Sequence, residues 1–147
     1  MNSHKLPDME YTFSVQTKGE ESGIVWTGEF IYRRPTLQER SLIETTRARM
    51  NGDLFTINPS IQDLNTAISH LKWTLKSYPE WWKDCDFGGA LYDSNVVMDI
   101  YNKCIKFEAE WNKRVLGGKP EDVEEGRKDG SIKKAERSID QPESQPG

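Results

Sequence analysis

Tyr11-Thr12-Phe13-Ser14-Val15 and Ile24-Val25-Trp26-Thr27-Gly28-Glu29-Phe30-Ile31-Tyr32 are the stretches that decide the fold. In the first, Tyr11, Phe13 and Val15 alternate with polar residues. In the second, Ile24, Trp26, Phe30 and Tyr32 keep the same period, and Gly28 holds the place between Trp26 and Phe30. Period-two spacing puts each set on one face of a strand. Between the runs lies Lys18-Gly19-Glu20-Glu21-Ser22-Gly23, a polar turn with two glycines. Residues 11–33 therefore predict a β-hairpin. A lone hairpin is marginal in water, so its apolar face must pack on something.

The chain downstream supplies that cover. Arg34-Pro35 ends the second strand, because proline donates no ladder bond. Thr36-Leu37-Gln38-Glu39 then matches a capping box, with Thr36 as N-cap and Glu39 as its reciprocal partner. A first helix is expected to about Met50, stopped by Asn51-Gly52. Its apolar set (Leu37, Leu42, Ile43, Met50) is thin and places it at the surface. A second helix starts at Pro59-Ser60 with Ser60 as cap. It carries Ile61, Leu64, Ile68, Leu71, Leu75 and Tyr78 at spacings of three and four, one apolar arc, and Pro79 ends it. An aromatic corner (Tyr78-Pro79-Glu80-Trp81-Trp82-Lys83) and a loop (Asp86-Phe87-Gly88-Gly89) follow. Asp93 or Ser94 caps a third helix with the stripe Val97, Ile100, Cys104, Phe107, Trp111 and Val115, widened by Val96 and Tyr101 and closed by Gly117-Gly118.

This reading gives an α+β fold: an N-terminal β-hairpin packed on about three helices, in a single domain over 11–116. Residues 1–10 are expected to be a flexible N-terminus and 117–147 a disordered polar tail. From Lys119 onward the chain has one valine, two isoleucines and no aromatic residue. Such a segment buries too little apolar surface to offset the entropy of ordering.

Bulk properties narrow the function. The 147 residues suit one domain. Apolar content of 35% beside 30% charged residues fits an ordinary domain diluted by a disordered segment. The net charge of −4 has its signs well mixed, so no basic excess exists to neutralise nucleic-acid phosphates or an anionic membrane surface. No stretch approaches the roughly 20 apolar residues that span a bilayer. The two cysteines, Cys85 and Cys104, lack CxxC spacing and cannot by themselves build a disulfide framework or a metal site. A reducing cytoplasm is the compartment expected.

Candidate chemistry is sparse. His4 sits near the terminus, and His70 falls on the polar side of the second helix, where a solvated ring is expected. Zinc-hydrolase spacings are absent. Glu80, Asp84, Asp86 and Asp93 surround the aromatic corner and would be the carboxylates of any acid–base site, but no positioned nucleophile accompanies them. Gly88-Gly89 forms neither a GxGxxG nor a P-loop, so no cofactor is implied. Arg33-Arg34 with Arg40, Arg47 and Arg49 is the basic concentration of the chain; Glu39 and Glu44 lie among them, which reads as surface ion pairs.

Tryptophan is the residue in excess, with five in the chain. Trp73 lies opposite the apolar arc of the second helix. Either the hairpin covers it or it is exposed as an interface anchor. Trp81-Trp82 poses the same choice, with one ring free to pack under the third helix while its neighbour points elsewhere. Trp73, Trp81 and Trp82 are thus the candidate partner-binding residues, and a binding module is favoured over an enzyme.

The runs Trp26-Thr27-Gly28-Glu29-Phe30, Arg33-Arg34-Pro35-Thr36-Leu37, Tyr78-Pro79-Glu80-Trp81-Trp82 and Leu91-Tyr92-Asp93-Ser94-Asn95-Val96-Val97, with Ile100-Tyr101, resemble small proteins encoded in the tail modules of tailed bacteriophages. Over roughly residues 11–115 the chain looks like a tail assembly chaperone. The resemblance implies a non-enzymatic host-cytoplasm protein that binds the tape-measure protein. It would keep that partner soluble until tail-tube subunits polymerise, and would be absent from the finished particle. The N-terminal hairpin departs from the mostly helical pattern of that group. The rival readings are a structural virion protein of the tail or head–tail region, and a small enzyme or regulator using the carboxylates near residues 80–93.

Overall fold

The hairpin forms, and it acquires a third strand. The computed structural model describes residues 6–52 and 58–116. There, β1 (Glu10–Lys18) pairs antiparallel with β2 (Val25–Arg33) along its whole length. Phe13 faces Phe30 across the ladder and Tyr11 faces Tyr32, so the alternating rings share one side. The Phe13 and Phe30 rings stack at 5.5 Å. Val15 faces Gly28, and the space left by the missing side chain is taken by the Pro79 ring. A Cβ on Gly28 would lie 2.6 Å from Pro79 Cγ. The strand begins at Glu10, and Arg34 N–H donates to the Met9 carbonyl, inside the stretch expected to be flexible. His4 and the rest of residues 1–5 lie outside the described residues, as do 53–57 and the tail expected to be disordered over 117–147.

Next come α1 (Leu37–Asn51) and α2 (Pro59–Thr74). The capping box of α1 is present in both halves: Glu39 N–H donates to Thr36 Oγ1 and Thr36 N–H to Glu39 Oε1. Gly52 at φ 68 ends the helix. The start of α2 differs from expectation. Asn58 is the cap, accepting from Ser60 N–H at 2.8 Å, and Pro59 occupies the first helical position. There its fixed φ and absent N–H cost nothing.

The end of α2 is the main correction. The apolar arc continues to Tyr78, yet the helix stops at Thr74 and Leu75–Ser77 becomes β3, pairing with β2 through Ile31 and Tyr32. The exposed edge of β2 offers backbone groups that a helix cannot satisfy, and that demand overrides the periodicity. The sheet order is β1-β2-β3. Leu75 keeps its core position from the strand, while Ile61, at the start of the arc, is exposed.

α2 is buried on two sides, which a single apolar arc does not anticipate. Ala67, Leu71 and Thr74 are buried, the first two within the main core, whereas Asn65 and Trp73 reach α1. Asn65 Nδ2 donates to Asn51 Oδ1 at 2.8 Å. Small residues at 67 and 69 let the neighbours come close.

After the short α3 (Glu80–Asp84), α4 runs Ser94–Leu116. Val96, Val97, Ile100 and Cys104 are buried in the same core as Phe13, Val15, Phe30, Tyr32 and Trp82. Each large aliphatic or aromatic residue buried there stabilises the fold by roughly 1.5–3 kcal/mol before entropy is counted. Both cysteines are free thiols, and burial pushes the Cys104 thiol well above its ordinary range. The described residues divide into two units after Glu108, within α4. Of the second, the described part is the end of α4, Ala109–Leu116, where Trp111 is buried and Val115 and Leu116 are exposed. The fold is α+β, a three-stranded antiparallel sheet with helices. No helix among the described residues is long and apolar enough to cross a membrane.

Candidate functional site

The three tryptophans singled out by the sequence have different fates. Trp82 is a core residue, 1% exposed, edge-on to Phe30 at 5.8 Å. It is withdrawn as a partner-binding residue: the turn after α3 closes over it, and a Cβ on Gly88 would stand 2.6 Å from its Cη2. Trp81 is partly exposed. Its ring packs against Trp26 at 4.7 Å, and its indole N–H donates to the Thr27 carbonyl at 2.7 Å. Trp81 and Pro79 thereby occupy β2 at Thr27 and Gly28, where β3 does not reach. Trp73 is also partly exposed. Its cover is α1, not the hairpin, because Trp73 Nε1 donates to Thr46 Oγ1 at 2.9 Å.

The four carboxylates near the corner have different environments. Glu80, Asp84 and Asp86 are exposed. Asp93 is 1% exposed and engaged by the hairpin turn. Its Oδ1 accepts the backbone N–H groups of Glu21 and Ser22, both at 2.8 Å; its Oδ2 accepts Ser22 Oγ–H at 2.6 Å and Trp26 Nε1–H at 3.0 Å. The Ser22 hydroxyl, then the turn's N–H groups and the indole, hold this carboxyl down to about 2 against the opposing effect of burial. Asn95 completes the clasp, accepting from Glu20 N–H and donating to the Lys18 carbonyl. A carboxylate so fully occupied is a tether between turn and helix. It is not poised for proton transfer.

His70 is not solvated as expected. Its side chain is 14% exposed, with Nε2 3.0 Å from Tyr32 Oη and 3.5 Å from Glu108 Oε2. The ring stacks on Tyr32 and meets the Tyr101 ring edge-on. Burial lowers the imidazole to about 4 and raises the Glu108 carboxyl, so the ring is neutral at physiological pH. Among the described residues no group of three or more His, Cys, Asp and Glu is placed to hold a metal ion.

The feature the sequence did not disclose is an open cleft of about 250 Å³ between α1, α2 and the loop after α3. Met50, Ile68 and Phe87 supply its apolar lining; Arg49, Lys72 and Asp86 supply its charges. Thr46, which accepts the Trp73 indole N–H, also lines it. The loop wall is strained: Asp86 and Phe87 have φ of 54° and 53°, followed by Gly88 at 95°. Left-handed backbone at a non-glycine residue costs about 1–3 kcal/mol. Here it is offset by a dense set of local bonds, including Phe87 N–H to the Trp82 carbonyl and Ala90 N–H to the Cys85 carbonyl, both at 2.8 Å. The buried Trp82 ring thus fixes the loop, and the loop presents Asp86 and Phe87 to the cleft. Among the described residues, Arg49, Lys72 and Asp86 have no ion-pair partner. Lys72 Nζ lies 5.8 Å over the Trp73 ring.

Comparison with family models, with curated proteins and with solved structures returns no match.

Proposed function

We propose that this chain is a non-enzymatic protein-binding domain that serves as a tail assembly chaperone in the host cytoplasm, holding the tape-measure protein soluble before tail-tube polymerisation. The observation that carries the binding reading is the α1–α2 cleft. It combines an apolar lining with side-chain charges of both signs, on a scaffold with a packed core. Surfaces that hold a partner reversibly have this make-up: an aromatic and aliphatic centre within a charged surround. Trp73 and Trp81, both partly exposed, are among the aromatic residues available to a partner. The specific partner comes from the resemblance of the strand-to-helix junction and the Tyr78–Trp82 corner to tail-module proteins.

Co-expression with the tape-measure protein tests the proposal. The tape-measure protein should move from the insoluble to the soluble fraction and co-purify with this chain, and purified particles should lack the chain by mass spectrometry. An unchanged soluble fraction, or stoichiometric presence in particles, overturns the chaperone assignment.

A further inference from the structure

We infer that the cleft receives one large apolar side chain from an acidic amphipathic helix of the partner, with a neighbouring carboxylate of that helix taken by Arg49 and Lys72. This rests on the protein-binding reading above and specifies its chemistry.

Size comes first. At about 250 Å³ the cleft falls below the roughly 300–1,000 Å³ of sites for drug-sized ligands and cofactors. It accommodates a Leu, Met or Phe side chain, and Met50, Ile68 and Phe87 offer it apolar contact on three sides. Shape comes second. Two of the walls are helices, α1 and α2, and a surface formed by two helices is the kind of groove in which an amphipathic helix lays its apolar face.

Charge selects the occupant. Arg49 lies in the last turn of α1 and Lys72 in the last turn of α2, so two cations from separate elements border the apolar lining. Neither is neutralised by a carboxylate among the described residues. Four other basic residues are paired, Arg33 with Glu10, Arg47 with Glu44, Lys76 with Glu39 and Lys103 with Asp99; what distinguishes Arg49 and Lys72 is their place beside one apolar cleft. The third charge, Asp86 on the loop, repels a carboxylate approaching from its side. Discrimination by one repulsive element beside two attractive ones fixes the direction in which an acidic helix can lie.

The test uses the full chain, labelled with nitrogen-15, and two synthetic amphipathic helical peptides. Both carry the same Leu face; one has Glu flanking it and the other Lys. The acidic peptide should shift the amide signals of Arg49, Ile68, Lys72 and Phe87 and the indole signal of Trp73. Its affinity should fall by about tenfold in the R49E/K72E double variant, in line with rim charge pairs, and should weaken as salt is raised. The Lys peptide should bind that variant better than it binds the parent chain, a gain that an unfolded variant could not give. Acidic-peptide binding that ignores R49E/K72E, or shifts confined to another face, overturns the cleft assignment while leaving the protein-binding reading standing. Loss of acidic-peptide binding without a gain for the Lys peptide overturns the charge-matching argument. A tape-measure protein that stays insoluble on co-expression overturns the chaperone reading without touching the peptide result.

Discussion

The carboxylate of Asp93, the residue immediately before α4, accepts the indole N–H of Trp26 on β2 at 3.0 Å. Through that oxygen and its neighbour, the tip of the hairpin is fastened to the start of the longest helix. Gly19 is placed by the same contact: a Cβ there would collide with the Asp93 carboxylate. Two segments more than sixty residues apart in sequence are joined by one side chain.

Asp93 should therefore govern acid stability. Its carboxyl ionises at about 2 in the folded chain, against an ordinary value of 3.8. The folded form binds the proton less readily, so the stabilisation is fully present above about pH 4 and is lost as pH falls through 4 toward 2. Asp93→Asn should lower the urea midpoint at pH 7 and flatten its decline between pH 4 and pH 2. An unchanged midpoint at pH 7 would show that the clasp contributes nothing.

Trp82 and Trp81 are adjacent in sequence and should respond differently to mutation. Trp82→Ala should cost about 3–5 kcal/mol, the range for deleting a buried aromatic ring. Trp81→Ala should cost less, because part of that ring is already in water. Trp73→Phe removes one hydrogen bond to Thr46 and should cost about 1 kcal/mol. Equilibrium urea unfolding of the three variants would rank them; equal losses for Trp81 and Trp82 would contradict the assignment of Trp82 to the core.

His70 gives a second pH dependence at a higher range. Its folded pKa of about 4 lies below the ordinary 6.5, because burial disfavours the imidazolium. As pH falls the unfolded chain takes up this proton first. The contribution is therefore full above about pH 6.5 and is lost as pH falls toward 4. Glu108, raised by burial, acts with the opposite sign. His70→Gln should reduce the drop in thermal midpoint between pH 7 and pH 5. The His70 ring signals should titrate near pH 4 by NMR; titration near 6.5 would contradict the burial.

The capping box of α1 should be measurable by itself. Thr36→Ala removes the acceptor for Glu39 N–H, and the cost expected for such a cap is about 1 kcal/mol. Thr36→Ser should retain most of the stability. If Ser and Ala variants unfolded at the same urea concentration, the cap would be energetically idle.

Much of the fold is local and was legible in the residues themselves. Alternation in Tyr11–Val15 and Trp26–Tyr32 specified the hairpin and its buried face, since a strand's side chains alternate whatever lies beneath them. Thr36 and Glu39 announced α1, and Val97, Ile100 and Cys104 announced the buried stripe of α4. What only the tertiary structure decided were competitions between distant groups. Leu75–Ser77 left the helical arc because the β2 edge needed a partner, and Trp73 turned to α1 because Thr46 offered an acceptor. Trp82, adjacent to Trp81 and chemically identical to it, became core because Gly88 leaves room for its ring. The cleft belongs to the same class. Arg49, Lys72 and Phe87 lie far apart along the chain and carry no shared motif, and they meet because the strained turn over Trp82 brings the loop against the two helices. Periodicity records which side of an element is buried, but it holds no record of which distant groups will meet.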